Sequence, residues 1–363
     1  MSILLNCFMR STFSDGATFK RECIMKLFTT ALFFALTNFV YGQTKFTVDN
    51  FSPDYYGNIS IDDTSEVFSK GWIAIYDKKT NKEIIKVVSD ELALSLRDGK
   101  AMANIKSLPY GEQSLIMYED FNFDNKKDFA IEDGQNSSYH LPSFKIYLAS
   151  ANGFEFNKPF TRLAQEYTGM FAVDHSEKKI LTMTKSGCCF HEFSEFIVEN
   201  NKPKAVKIIT EEQVLPFDIY SEQTWNGKTM VKKTRRTIDI EQEGIEVILS
   251  FIVPENGKKI ILYNINDRTL NYALLRKDST VEFFFPIETV YKNPDFRFDS
   301  SATGLSVTFT NKTATYKIYD RPNELGVEIN VGDKIYHLMG DEKTRTGSLR
   351  QLSKLRLDNV VYP

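Results

Sequence analysis

Nine residues concentrate the chemistry this chain can offer: Asp120-Phe121-Asn122-Phe123-Asp124-Asn125-Lys126-Lys127-Asp128. Oxygen-bearing side chains stand at the first, third, fifth and ninth places. Asp120, Asn122 and Asp124 alternate, so their side chains leave an extended backbone on one side. Lys126, at the seventh place, offers its carbonyl, and Asp128 closes the ring. A short loop wraps a hard cation in this way: calcium takes about six to eight oxygens at about 2.3–2.6 Å, and water supplies the remainder. Three carboxylates within one short loop repel one another unless a charge sits between them. The expected Ca2+ ligands are therefore Asp120, Asn122, Asp124, Asp128 and the carbonyl of Lys126. The bland alternative is a strand whose Phe121, Phe123 and Phe129 face a core. Its carboxylates would then face water, with Lys126 and Lys127 balancing them.

The spacing departs from an EF-hand in two places. Asn125 holds the sixth position in place of glycine, although Asn tolerates positive φ better than most residues. Ile131 holds the twelfth, so the bidentate Glu is missing. Residues 114–118 and 129–131 read as short strands rather than helices. The loop resembles instead the calcium loops of the FG-GAP blades of integrin-type β-propellers, which sit between two strands.

Other chemistry is sparse. The histidines are His140, His175, His191 and His337. None is spaced to pair with a nucleophile. The Gly-x-Ser-x-Gly elbow, the phosphate-cradling loop and His-Glu-x-x-His are all absent. Carboxylate pairs for glycoside hydrolysis are spatial, but the densest acidic cluster is committed to the loop. The chain reads as a non-enzyme. Cys7 and Cys23 lie near the start, and Cys188 and Cys189 stand side by side. In an oxidising compartment the adjacent pair forms a vicinal disulfide, or remains as two inert thiols pointing opposite ways along a strand. Zinc with His191 would need a tetrahedral set that adjacent residues rarely supply to one ion.

The compartment follows from the N-terminus. Lys20, Arg21 and Lys26 precede an apolar run over 27–40, which ends in Val40-Tyr41-Gly42 before Gln43. Charged start, apolar middle and small exit form the secretory pattern. The run is too short for a comfortable membrane span. Met25 stands just before Lys26, so residues 1–24 read as an upstream extension. The expected mature protein begins at Gln43 and is periplasmic or secreted, with no membrane span. Net charge is −3, so the composition does not suggest the basic face that nucleic acid requires, and no nucleic-acid partner is expected.

At 363 residues and 42% hydrophobic content, two domains with sizeable cores are expected. Phe 29 and Tyr 17 against Trp 2 suit strands. Alternation predicts strands over 44–51, 71–77, 83–88, 143–148, 169–174 and 180–184, and repeatedly from 245 to 338. Turn pairs such as Asn256-Gly257 and Gly332-Asp333 separate the later ones. A polar loop is expected over 54–63, either helix or strand over 89–100, and helices over 157–167 and 347–357. Asn200 to Lys204 reads as a polar break near a domain boundary. The fold class is all-β. A propeller-like or multi-hairpin β domain over 43–205 carries the loop, and a second antiparallel β domain covers 206–363. Asp295-Phe296-Arg297-Phe298-Asp299 echoes the start of the loop, but Arg297 would expel a cation, so it reads as a strand.

The acidic loop, followed by Lys127-Asp128-Phe129-Ala130-Ile131, Tyr147-Leu148, Gly169-Met170-Phe171 and Lys185-Ser186-Gly187-Cys188-Cys189-Phe190-His191, resembles a family of bacterial periplasmic proteins. These are similar to the immunity proteins that guard against lysozyme-like effectors of bacteria-killing type IV secretion systems. The resemblance covers roughly residues 105–200 and implies a β-propeller-like fold, an integrin-like calcium loop and inhibition of a peptidoglycan hydrolase. A cell-envelope adhesion or scaffold module of integrin-blade type, or a hydrolase with a structural calcium, would use the same loop.

Overall fold

Branched and aromatic residues alternate with polar ones along most of the chain, which favours strands. The computed structural model describes residues 43–107, 111–288 and 294–363 and is all-β. The export segment expected over 1–42 lies outside the described residues. Among the described residues no helix is long and apolar enough to cross a membrane. The chain divides into two compact units. The first holds the described residues up to Ile105, with Ser114–Tyr118 and Ala130–Gln135. The second holds Lys106–Gln113, Glu119–Phe129 and Asn136–Pro363.

In the first unit, β1 (Thr44–Val48), β2 (Tyr55–Ile61), β3 (Ser69–Asp77) and β4 (Glu83–Leu92) form an antiparallel meander in chain order. The small hairpin β5 (Leu96–Arg97) and β6 (Lys100–Ala101) follows. Ile59, Ile61, Ile73, Ile75 and Val87 supply its core. Gly71 has to be glycine there, because a Cβ would collide with the backbone carbonyl of Ser60 on the neighbouring strand.

β7 (Ile116–Glu119) and β8 (Asp128–Gly134) flank the acidic loop. In the second unit β9 (Ser143–Ser150) and β10 (Gly153–Phe156) make a hairpin. It leads to α1 (Lys158–Glu166), the helix expected over 157–167. Asn157 caps α1 by accepting from the amide of Phe160, and Pro159 sits in the first turn, where a missing N–H costs nothing.

A six-stranded antiparallel sheet follows in chain order: β11 (Ala172–Asp174), β12 (Lys179–Ser186), β13 (Phe190–Glu199), β14 (Lys202–Val214), β15 (Phe217–Trp225) and β16 (Met230–Ile238). Then come β17 (Ile245–Val253), β18 (Lys258–Ile265), β19 (Thr269–Leu275) and β20 (Val281–Phe285), and next β21 (Phe296–Ser301), β22 (Gly304–Asn311), β23 (Ala314–Arg321), β24 (Glu324–Val331) and β25 (Lys334–Met339). Near the C-terminus β26 (Thr346–Gly347) pairs with β17, and β27 (Val360–Val361) lies parallel to β21. Phe251, Leu262, Tyr272, Phe296, Phe309 and Ile318 pack into one core between these last two sheets.

Several local expectations change. The loop expected over 54–63 is largely β2, because Gly57, Ile59 and Ile61 alternate inward. Of the two readings open for residues 89–100, the strand holds, as the end of β4 and the β5–β6 hairpin. The helix expected over 347–357 is a 3-10 turn, Leu349–Ser353, in which Leu349 and Leu352 share one face at the three-residue period and are buried. The strand expected over 169–174 keeps only its last three residues. Asn200 and Asn201 form the tight turn between β13 and β14, with φ of +52° and +56°.

Candidate functional site

The acidic loop begins where β7 ends, and its first carboxylate curls the chain. Oδ1 of Asp120 accepts the amides of Phe123 at 2.7 Å and Asp124 at 3.2 Å, while Oδ2 accepts that of Asn125 at 2.8 Å. Oδ1 of Asn122 accepts from the amide of Asp124 at 3.3 Å, and Oδ1 of Asp124 from that of Lys126 at 2.8 Å. Two residues must reverse φ for this: Phe123 at +65° and Asn125 at +67°. Asn at that sixth position adopts the conformation that glycine has in related loops at little steric cost.

Hydrophobic side chains pin the loop from beneath. Phe121 and Phe129 are fully buried, and Phe121 meets Phe171 edge to face at 5.4 Å. Phe123 is half-buried, 6.0 Å from the ring of His175. The phenylalanines thus pack as the bland alternative requires at two places and break alternation at the third.

Asp128 is the deepest of the oxygen donors, with no exposed surface. Its Oδ2 accepts the amide of Phe121 and its Oδ1 that of Ala149, both at 2.8 Å. Burial pushes its carboxyl up to about 7; the two amides pull it down, and the charges of Asp124 and Asp120 raise it further. A positive charge beside these groups would reverse that balance. Asp120, Asn122, Asp124 and Asp128, with the carbonyl of Lys126, make an all-oxygen donor set that suits a hard cation. Among the described residues, no group of three or more His, Cys, Asp or Glu side chains is already gathered around one metal position. The carboxylates are held by backbone amides instead.

Two partners of the loop escape the motif. Asn122 donates through Nδ2 to Oδ1 of Asn201 at 3.0 Å, and Asn157 donates to the Asn201 carbonyl at 3.1 Å. One turn residue thereby ties the loop to the helix cap. Glu119, just before the loop, pairs with Lys106 at 2.9 Å and His175 at 3.1 Å. Only the Asn-Asn turn signal at 200–201 pointed toward the first. Nothing in the spacing marked Glu119, because its partners are distant in sequence.

Cys188 and Cys189 are joined Sγ to Sγ in the turn between β12 and β13, with Cα atoms 3.8 Å apart. The amide of Gln213 holds this turn by donating to the Cys189 carbonyl at 2.8 Å. His191 lies in register between Lys185 and Glu211. The structure does not bring the disulfide to the acidic loop. Asn201 and Cys189 stand at opposite ends of β13, whose ten residues span about 33 Å.

No protein-family model matches this chain. No curated protein matches it either. Among solved structures, one described as a Xanthomonas type IV secretion system related protein is 16% identical, covering 53% of this chain and 95% of its own, with a TM-score of 0.42. A putative 6-phosphogluconolactonase from Bacteroides uniformis is 9% identical over 84% of this chain and 85% of its own, with a TM-score of 0.21. The periplasmic gluconolactonase PpgL of Pseudomonas aeruginosa is 8% identical over 82% and 88%, with a TM-score of 0.19. All three scores lie under 0.5, a level of likeness that carries no functional weight.

Proposed function

We propose that this chain is an exported, calcium-stabilised binding protein that inhibits a lysozyme-like, peptidoglycan-degrading enzyme. The observation that carries the reading is the curled loop between β7 and β8. The positive φ at Phe123 and Asn125 and the burial of Asp128 support this reading. When bound, calcium would supply a fixed positive charge among Asp120, Asp124 and Asp128. The chain's own part is to present those oxygens and to hold the turn through Asn201 and the buried Phe121 and Phe129. The role is structural: no histidine sits in a catalytic spacing with a nucleophile, and the densest acids are spent on the loop. The inhibitory half of the reading comes from the resemblance of the loop, together with Lys185 to His191, to periplasmic immunity proteins.

The test is direct. The chain without residues 1–42 is mixed with a lysozyme-like hydrolase, and clearing of a peptidoglycan suspension is followed by turbidity. Stoichiometric loss of clearing and a one-to-one complex on size exclusion are expected. An unaffected enzyme with no complex would sink the inhibitor reading and leave an adhesion or scaffold module. Clearing by this chain alone would make it a hydrolase.

A further inference from the structure

The bond between Cys188 and Cys189 does little of what a structural disulfide does. In the chain-entropy account, a cross-link stabilises a fold by closing a loop in the unfolded chain, and the effect grows with the length of that loop. These two residues are neighbours in sequence. Their bond therefore closes no intervening chain and ties no two elements together. The turn it occupies is held by other means. Ser186 pairs with Phe190 across the turn, and Phe190 with Glu212 of β14. The amide of Gly187 donates to the hydroxyl of Tyr139, and the Gln213 amide holds the Cys189 carbonyl. None of these contacts runs through a sulfur, so opening the bond need not undo them.

What the bond has is access. Disulfides are exchanged by a thiolate that attacks one sulfur and expels the other, and the rate depends on how freely that sulfur is reached. The pair stands at the tip of the β12–β13 hairpin, where Cys188 is exposed and Cys189 half-buried. Both line an open groove of about 990 Å3, which has room for a small dithiol or for the side chains of a partner's loop. Exposed disulfides that carry little of the fold are the labile ones.

We propose that Cys188–Cys189 is a thiol–disulfide exchange site that accepts electrons from a dithiol carried by a partner molecule. A thiolate of the partner attacks Sγ of Cys188, the more exposed sulfur, and forms a mixed disulfide. The bond between the two cysteines breaks with its electron pair on Sγ of Cys189, which takes up a proton. The partner's second thiolate then attacks the partner's own sulfur in the mixed disulfide. This closes the partner's disulfide and releases Cys188, which is protonated in turn. The partner loses two electrons and two protons, and the cysteine pair gains them. Ion binding at the acidic loop and inhibition of a lytic enzyme play no part in this.

The experiment treats the full chain with a modest excess of dithiothreitol in the absence of denaturant. Free thiols are then capped with iodoacetamide, and the peptide carrying Cys188 and Cys189 is read by mass spectrometry. Two capping groups on that peptide are expected, with the circular dichroism of the folded protein unchanged. With oxidised glutathione as the probe, the Cys189→Ser protein should form a mixed disulfide at Cys188 several-fold faster than the Cys188→Ser protein forms one at Cys189, because access sets the rate. A bond that survives a large excess of dithiothreitol in the folded protein and opens only in denaturant overturns the proposal. Reduction that comes only with loss of the folded spectrum overturns it too, because the bond would then be structural. Faster reaction at Cys189 than at Cys188 overturns the assigned point of attack.

Discussion

Asp120-Phe121-Asn122-Phe123-Asp124 and Asp295-Phe296-Arg297-Phe298-Asp299 differ only at the middle residue, and they fold differently. The second enters β21, where Phe296 and Phe298 both point into the core at 1% and 2% exposure. Arg297 stays outside and reaches Asp299 at 3.1 Å. Strands lie on both sides: Phe296 pairs with Phe309 in β22 and with Val360 in β27. The first string keeps one phenylalanine buried and turns the next aside with φ +65°. The cause lies in the residues C-terminal to each string. Asn125 accepts positive φ, and Asp128 gives the curled chain a second carboxylate to close on. The residues after Asp299 are Ser300 and Ser301, which stay extended in β21. The shared residues fix the hydrophobic anchoring, and the flanks decide whether the backbone curls.

The largest expected effect tests the shared part. Phe121→Ala and Phe296→Ala each remove a fully buried ring, and each should cost about 3–5 kcal/mol. Denaturant unfolding, followed through the transition of the second unit, measures both. A loop variant costing far less than its strand counterpart would show that Phe121 does not anchor the loop as Phe296 anchors β21.

The same logic explains which features were legible in the sequence. Alternation that ends in burial on one face was readable, as in β3, β4 and β9, and so was the cap–proline start of α1 at Asn157 and Pro159. The acidic loop was readable because its oxygens are local. The hairpin β14–β15–β16 was not. Lys202 to Val214 carries only half-buried and exposed residues, so no apolar face marks its period of two. The turn at 349–353 looked helical because Leu349 and Leu352 share a face in either helix type. Asn201 and Glu119 depend on contacts distant in sequence, which spacing does not encode.

A second test contrasts charges by their burial. Arg297 and Asp299 meet at the surface, whereas Glu132, in β8 just after the loop, is buried. Its Oε1 accepts from the amide of Ala93 at 3.0 Å and from Gln135 at 3.1 Å, while Oε2 has no partner. Burial holds its carboxyl well above the usual range; the Ala93 amide opposes this, Asp133 adds to it, and Gln135 opposes it. The folded value is raised above the unfolded one. The protonated form's contribution is therefore fully present below about 4.3, the unfolded glutamate value. It is lost as pH rises through the folded value. Unfolding midpoints measured across that range should fall with rising pH, and Glu132→Gln should flatten the slope. An unchanged slope in that variant would assign the dependence to other groups.

The finest comparison asks whether one string binds an ion and the other does not. A ligand that binds only the folded loop stabilises by RT ln(1 + [L]/Kd), about 2.7 kcal/mol at a hundredfold excess over Kd. Calcium should therefore raise the melting temperature and a chelator should lower it. Magnesium should substitute poorly, because it demands a tighter octahedral shell and keeps its waters. Asp124→Ala should remove most of the calcium-dependent difference, while Asp299→Ala should leave it intact. Arg297→Asn makes the second string identical to the first over five residues, yet it should create no second site. Its ninth place is Thr303, the sixth is Ser300, and β21 is held extended by a neighbour on each side. Equilibrium dialysis with 45Ca would then count one bound ion both before and after the change. A second ion in the Arg297→Asn protein would show that the five-residue string suffices and that the flanks do not decide. Superimposed melting curves with calcium and with chelator would leave the amides around Asp120 and Asp128 as the loop's whole support.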